Sequence, residues 1–168
     1  EGMLAQRSRL RALQGQYPGL SLLHGVELNI DPEGAVDYDP EFLAGFDWAV
    51  AGVHSHFDLD REAQTRRIVT AMRNPAVRAI AHLSGRKIGR RPGIDLDVEA
   101  VLAAAEETGT ALEINCHLDR LDASVEVLRA ARGSRVTFLV NTDAHDTREL
   151  GNTVWGVRHA LRGSVDPK

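Results

Sequence analysis

Side chains of metal-binding type recur along the chain at a spacing of roughly 30 residues, the length of one strand–helix unit. They are Glu27, His54, His82, Asn115 with His117, and Asp143 with His145. Imidazole and carboxylate groups together form the ligand set of zinc, manganese or iron sites. Several such ions close together favour phosphoester hydrolysis, because they bind phosphate oxygens and activate a bound water. The spacing therefore predicts a metal-dependent phosphoesterase centre.

Each of these residues taken alone also has an ordinary structural interpretation. A histidine at a strand end is more often a hydrogen-bonded structural residue, Glu27 would also fit a salt bridge, and Asp143 would also fit a cap or Asx-turn. Their recurrence after successive strands favours a common site. The sequence contains no GxGxxG or GxxxxGK[ST] phosphate loop and no GxSxG nucleophile motif. Cys116 has no recognisable nucleophile context, so we interpret it as a packing residue.

The elements that would position these side chains alternate between two kinds of segment. Short apolar runs predict buried parallel strands, and the stretches between them have helical periodicity. The predicted strands are Ser21–Val26, Trp48–Val53, Val77–Ala81, Thr110–Ile114 and Thr137–Val140, and the predicted helices are Arg61–Arg73, Asp97–Thr108, Ser124–Ala131 and Val154–Leu161. This alternation predicts an α/β fold with helices covering a parallel sheet. A barrel is favoured over an open sheet, because only a barrel brings all the strand ends to one mouth.

Composition sets the remaining bounds. The chain has 168 residues, 43% of them hydrophobic and 26% charged, which is ordinary for a single globular domain and argues against disorder. No apolar run is long enough for a membrane span, and the first residues lack the apolar region of a signal peptide. A net charge of −4 excludes a uniformly basic surface but not a local basic patch. The single cysteine fits a reducing compartment, so we expect the bacterial cytoplasm.

The residues at the strand ends resemble the PHP family, named for polymerase and histidinol phosphatase. Matching segments are Gly25-Val26-Glu27, Val53-His54-Ser55, Ala81-His82, Leu112-Glu113-Ile114-Asn115 and Asn141-Thr142-Asp143-Ala144-His145. Within that family, the similarity is to the C-terminal PHP domain of bacterial family X DNA polymerases. The segment AHLSGR keeps that subgroup's His82, Gly85 and Arg86 but replaces its Pro-Thr pair by Leu83 and Ser84. The resemblance runs from about Tyr17 to Gly163.

The resemblance implies a distorted (βα)7 barrel with up to three Mn or Zn ions at its mouth, of which about five βα units would be present here. Glu27 would bridge two ions, His54 and His82 would complete the second, Asp143 would bind the first and His145 the third. Glu27, Asp143 and His145 would be catalytic. The implied activity is 3′–5′ exonuclease or other 3′-end processing of DNA, as part of a polymerase in DNA repair.

Two family motifs, a His-x-His pair and an Asp-His pair, are absent from the sequence. Both are expected before Glu1, and the chain opens in what resembles the middle of a helix. We therefore expect residues 1–168 to be the C-terminal portion of one PHP metallo-phosphoesterase domain without an internal boundary. The chain alone is then expected to be inactive, since the full centre needs the missing N-terminal part.

A basic loop follows His82 and contains Arg86, Lys87, Arg90 and Arg91. An ordinary solvated loop would also explain this cluster, but it lies past a predicted metal ligand. We expect Arg86 to contact phosphate, since the family matches it, and the other three to assist. His117 lies two residues beyond Asn115 and is therefore expected on the same side, as a substrate contact or a support for the metal ligands.

Two alternatives remain open from the sequence. One is a stand-alone PHP phosphatase acting on a small phosphomonoester, similar to histidinol phosphatase. The other is a non-catalytic scaffold domain that packs against a polymerase. Loss of ligands usually marks such scaffolds, and every family ligand expected within this span is present.

Overall fold

Five parallel strands form one sheet in this computed structural model, which describes residues 2–165. The sheet order β1-β2-β3-β4-β5 follows the chain order. In chain order the elements are α1 (Gly2–Gln14), β1 (Gly25–Asn29), α2 (Pro40–Leu43), β2 (Trp48–Gly52), α3 (Arg61–Met72), β3 (Ala79–Ile80), α4 (Val98–Thr108), β4 (Ala111–Asn115), α5 (Val125–Ala130), β5 (Phe138–Asn141), a 3₁₀ helix (Thr147–Asn152) and α6 (Thr153–Arg162). This confirms the predicted α/β class, and the architecture is consistent with a partial TIM-like barrel. None of the described helices is long and apolar enough to cross a membrane.

Side-chain caps explain why the connecting helices begin where they do. Asp60, Asp97 and Ser124 accept hydrogen bonds from backbone N–H groups at the starts of α3, α4 and α5. Each cap satisfies a donor that the first helical turn leaves unpaired. Gly109 ends α4 in the left-handed conformation, with φ of 72°. The predicted bounds of these helices are confirmed to within about two residues.

The first strand lies further along the chain than predicted. We expected Ser21–Val26 with Glu27 at its end, but β1 runs from Gly25 to Asn29 and Glu27 is its central residue. The register pairs Gly25 with Trp48 and Asn29 with Gly52, so the apolar segment before Gly25 has no ladder partner. Leu20 and Leu23 are accordingly exposed. The true strand alternates, with Leu28 buried and Glu27 on the opposite face.

The buried face of α3 includes a residue that periodicity did not identify. Ile68 and Met72 are buried as predicted, whereas Ala63 and Val69 are only half-buried. Arg67 is fully buried, and its guanidinium donates hydrogen bonds to backbone carbonyls after β1 and β2: those of Ile30, Asp31, Ser55 and His56. Arg67 therefore joins the loop after β1, the strand that contains Glu27, to the loop after β2, which begins near His54.

Candidate metal centre

Three of the predicted ligands converge on one site. Oε1 of Glu27 lies 3.0 Å from Nε2 of His54 and 3.0 Å from Nε2 of His82. One ligand atom from each of the three residues lies within 4.8 Å of the other two. Glu27 comes from the middle of β1, His54 follows β2, and His82 follows β3. Pairing of three consecutive strands therefore builds the cluster.

The electrostatics of this cluster favour a carboxylate at Glu27. Hydrogen bonds with His54, which have the largest effect, and with His82 hold the pKa of Glu27 well below its usual range. Partial burial acts in the opposite direction. The side chain of Glu27 is 40% exposed and that of His82 only 3%. One carboxylate and two imidazoles make the donor set of an open zinc or manganese site with room for water. The residues present thus fit a divalent ion.

Gly52, the last residue of β2, makes room for both imidazoles. A Cβ atom built on Gly52 would lie 2.7 Å from Cε1 of His82 and 3.1 Å from Cε1 of His54. These separations are shorter than carbon van der Waals contacts allow. The buried ring of His82 has little freedom to retreat. A glycine is therefore required here by the close approach of the two ligands.

Gly52→Ala is expected to lower the metal affinity of this site by at least about 10-fold, because disturbing the partners that orient ligands has effects of that size. Overpacking should also destabilise the fold by about 1–3 kcal/mol. Zinc titration and thermal unfolding of the purified variant would measure the two effects. A matched control is Gly109→Ala, whose Cβ meets nothing within 4 Å although its φ is unfavourable. Equal affinities in Gly52→Ala and the wild type would contradict the steric argument.

Asp143 and His145 lie outside this cluster of ligand atoms in the described part of the chain. Oδ2 of Asp143 accepts a hydrogen bond from Asn115 Nδ2 at 3.1 Å and lies 3.5 Å from Nε of Arg120. Asp143 has a left-handed backbone, with φ of 52°. The ring of His145 is 80% exposed, and its Nδ1 is 2.7 Å from the carbonyl oxygen of Asp143. Their roles as ligands stay predictions.

A buried carboxylate that sequence reasoning missed connects the two groups. Glu113 in β4 accepts hydrogen bonds from the backbone N–H of His82 at 2.6 Å, from Asn115 Nδ2 at 3.1 Å and from Asn141 Nδ2 at 2.6 Å. Burial raises the pKa of Glu113, and the three donors oppose that shift. The sequence did contain a signal, namely an acidic residue inside an apolar run that predicts a buried strand. Buried acids are rare unless they are paired, so such a residue indicates polar partners in the fold.

The basic loop is more structural than predicted. Arg86 donates to the carbonyl oxygens of Arg120, at 2.7 Å, and of Leu121. Arg91 donates to the carbonyl of Gly85 and stacks over the ring of Phe57, 3.8 Å from its centroid. Lys87 lies 3.7 Å from Asp119 Oδ2, and Arg90 is exposed. Two of the four cations therefore stabilise loops, which leaves Lys87 and Arg90 better placed for an external ligand.

His117 links the loop after β4 to the segment that follows β5. Its Nδ1 lies 2.5 Å from Asp119 Oδ1, and its Nε2 lies 3.7 Å from Glu149 Oε1. The other oxygen of Glu149 accepts the backbone N–H of His145 at 2.7 Å. His117 and His145 thus share a carboxylate partner, which is consistent with a supporting position for His117.

A parallel α/β sheet carrying a carboxylate and two imidazoles near its strand ends is a structure typical of metal-dependent hydrolases. Known relatives support that class. The chain is 38% identical over all 168 residues to the DNA polymerase/3′-5′ exonuclease PolX of Bacillus subtilis, of which it covers 30%. It is 31% identical over 150 residues to a probable phosphatase of Acetivibrio thermocellus, covering 60% of that protein.

A probable phosphatase of Vibrio parahaemolyticus is 29% identical over 144 residues, which is 55% of its length. The chain therefore spans between 30% and 60% of the length of these relatives. No protein-family model matches it. The chain is homologous to a region of a bacterial polymerase/exonuclease and to probable phosphatases, and this homology supports a hydrolase-type activity.

Proposed function

We propose that this chain is the C-terminal part of a PHP-type metal-dependent phosphoesterase domain that processes DNA 3′ ends within a family X DNA polymerase. The observation that carries the proposal is the convergence of Glu27, His54 and His82 on one point. Similarity to a polymerase/exonuclease along the whole chain supports the choice of DNA as substrate. The 3′–5′ exonuclease direction, the place in DNA repair and the bacterial cytoplasm belong to the same proposal.

In this function Glu27, His54 and His82 hold a divalent ion, manganese or zinc. When bound, such an ion polarises a phosphoryl oxygen and lowers the pKa of a coordinated water. Asp143 and His145 supply the remaining ligands that this chain contributes to a centre of up to three ions. Asn115 and Arg120 orient the Asp143 carboxylate.

Substrate binding is assigned to the basic loop and to His117. Lys87 and Arg90 contact backbone phosphates, while Arg86 and Arg91 keep the loop in place through their carbonyl contacts. His117, fixed between Asp119 and Glu149, contacts the substrate near His145. Charge-assisted contacts of this kind position a nucleic acid without reading its sequence.

A second candidate is a phosphatase that acts on a small phosphomonoester. Similarity to the probable phosphatases favours it, and the Glu27–His54–His82 cluster serves either reaction. The two candidates differ in what lies around the metal ligands, because only a polymer needs phosphate contacts beyond the scissile bond.

The test is a comparison of two substrates with the full-length protein that contains this chain. We expect Mn²⁺-dependent shortening of a 5′-labelled DNA strand, with loss of activity in EDTA and recovery when Mn²⁺ is restored. Histidinol phosphate should be hydrolysed far more slowly. Rapid hydrolysis of histidinol phosphate, together with no shortening of the DNA strand, would favour the phosphatase instead.

A variant of the basic loop sharpens this comparison. The double substitution Lys87→Gln and Arg90→Gln should weaken DNA binding. It should also reduce the slope of log affinity against log salt by about 1–2, since fewer counterions are released on binding when fewer phosphates are contacted. Hydrolysis of a small chromogenic phosphodiester should be unchanged. The matched control is Arg132→Gln, which neutralises an exposed cation in the turn after α5. Equal losses on both substrates would assign the loop to folding.

A further inference from the structure

We infer that Glu113 is a positioning residue for the candidate metal centre: its buried carboxylate fixes the backbone of His82 and, through Asn115, the carboxylate of Asp143. The inference deepens the proposed function and rests on it for the identity of the site. It adds a residue that contacts neither ion nor substrate yet sets the geometry of two predicted ligands.

The contacts of Glu113 cross three strands. Its Oε2 atom accepts the N–H of His82, which follows β3, and also Nδ2 of Asn115 at the end of its own strand β4. Its Oε1 atom accepts Nδ2 of Asn141 at the end of β5. Asn115 Nδ2 is also 3.1 Å from Asp143 Oδ2. One carboxylate thus reaches both groups of predicted ligands.

The position would otherwise call for an apolar residue. Every residue of β4 is buried, and Glu113 is only 4% exposed. A buried carboxylate is unfavourable unless several donors compensate, and replacing it by an apolar residue of similar volume is often neutral or stabilising. All three partners of Glu113 are donors, and two of them lead directly to predicted ligands. Stability of the sheet alone does not account for an acid here.

The backbone at both ligands needs such a restraint. His82 has φ of 29° and Asp143 has φ of 52°, both in the sparsely populated left-handed region. Such conformations persist when surrounding contacts over-determine them. Glu113 supplies that contact directly at the N–H of His82 and through one intermediate at Asp143.

The test compares Glu113→Ala, Glu113→Asp and Glu113→Gln in the full 168-residue chain. Gln keeps one oxygen that can accept from His82 and Asn115. Its NH₂ group can donate to Asn141 if the amide of Asn141 flips to present its oxygen. Asp keeps the negative charge but places the carboxylate one methylene further from its three hydrogen-bond donors. The control is Thr110→Val, directly before β4, which removes a buried hydrogen bond to the carbonyl of Met72. The readouts are zinc affinity against a chromophoric chelator, hydrogen exchange of the His82 amide, and thermal unfolding.

We expect zinc affinity to fall about 10–100-fold in Glu113→Ala and Glu113→Asp, as for other residues that orient metal ligands, with faster exchange of the His82 amide. Glu113→Gln should retain most of both properties. Thr110→Val should unfold earlier yet bind zinc as the wild type does. If Glu113→Ala does not fold, Glu113→Asp decides: wild-type affinity and protection in that variant overturn the inference.

The outcome is separable from that of the proposed function. Loss of affinity in these variants, together with a full-length protein that leaves DNA and phosphodiesters intact, would refute the phosphoesterase and keep the positioning role. A wild-type chain without zinc affinity would refute the proposed site and this inference together. Normal zinc affinity of the Glu113→Asp chain, with normal nuclease activity when the same substitution is made in the full-length protein, would refute the inference alone.

Discussion

His82→Ala is expected to abolish tight metal binding by the 168-residue chain. The wild-type chain should hold no more than one tightly bound ion, because only Glu27, His54 and His82 are gathered within ligand distance in the described residues. Removing His82 leaves one carboxylate and one imidazole, and both side chains are more than a third exposed. Affinity should fall by at least about 100-fold, above the effect of losing a partner that only orients a ligand. Metal analysis after dialysis, and competition with a chelator, would measure it.

His24→Ala is the matched control for this variant. His24 is also a buried histidine, stacked on Phe46 with ring centroids 4.6 Å apart. It precedes β1, whereas His54 and His82 follow β2 and β3, and it is not one of the clustered ligand residues. Both substitutions should destabilise the fold by about 1–3 kcal/mol, but only His82→Ala should lose the ion. Three equivalents retained by the wild-type chain through dialysis would contradict the assignment, since other residues would then have to complete the centre.

Asp143→Asn should reduce Mn²⁺-dependent 3′-end degradation by the full-length protein on the order of 100-fold or more, because a neutral amide replaces a carboxylate that is predicted to be a metal ligand. Asn is chosen over Ala since it tolerates the left-handed backbone at this position, with φ of 52°. Loss of activity then reports the charge and not the backbone. Any polymerase activity of the same protein should persist, because the two centres would be separate.

Asp146→Ala provides the control three residues further on. Asp146 caps the 3₁₀ helix and pairs with Arg148 at 2.8 Å, so its loss weakens the start of this helix and removes no predicted ligand. Its nuclease activity should match the wild type. An unchanged rate in Asp143→Asn would mean that Asp143 is only a structural residue of the loop after β5.

The alternation of strands and helices was enough to predict the fold class, and the recurrent spacing predicted a common site for the strand-end residues. The grouping of Glu27, His54 and His82 within that site was implied by the family resemblance, and these are the three residues that the structure brings together. Parallel strands with helical connections deliver their ends to one edge, so a ligand after each of two successive strands must approach its neighbour. The error in β1 shows the limit of this reasoning. Apolar content alone favoured the segment before Gly25, whereas the actual strand has a polar face that carries Glu27.

The supporting contacts were beyond sequence reasoning because they join distant segments. Arg86 was expected to bind phosphate, yet its guanidinium holds carbonyls 34 and 35 residues away. Glu113 meets the N–H of His82 across 31 residues. Neither contact leaves a periodic signal, since both depend on how loops fold over the strand ends.

The agreement between strand order and chain order has a consequence for biosynthesis. Each strand pairs with the one made just before it, so the sheet can grow in the direction of translation without waiting for a distant segment. Glu27, His54 and His82 belong to the first three strands. This part of the candidate metal centre can therefore assemble on the ribosome while β5, with the predicted ligand Asp143 after it, has yet to be synthesised.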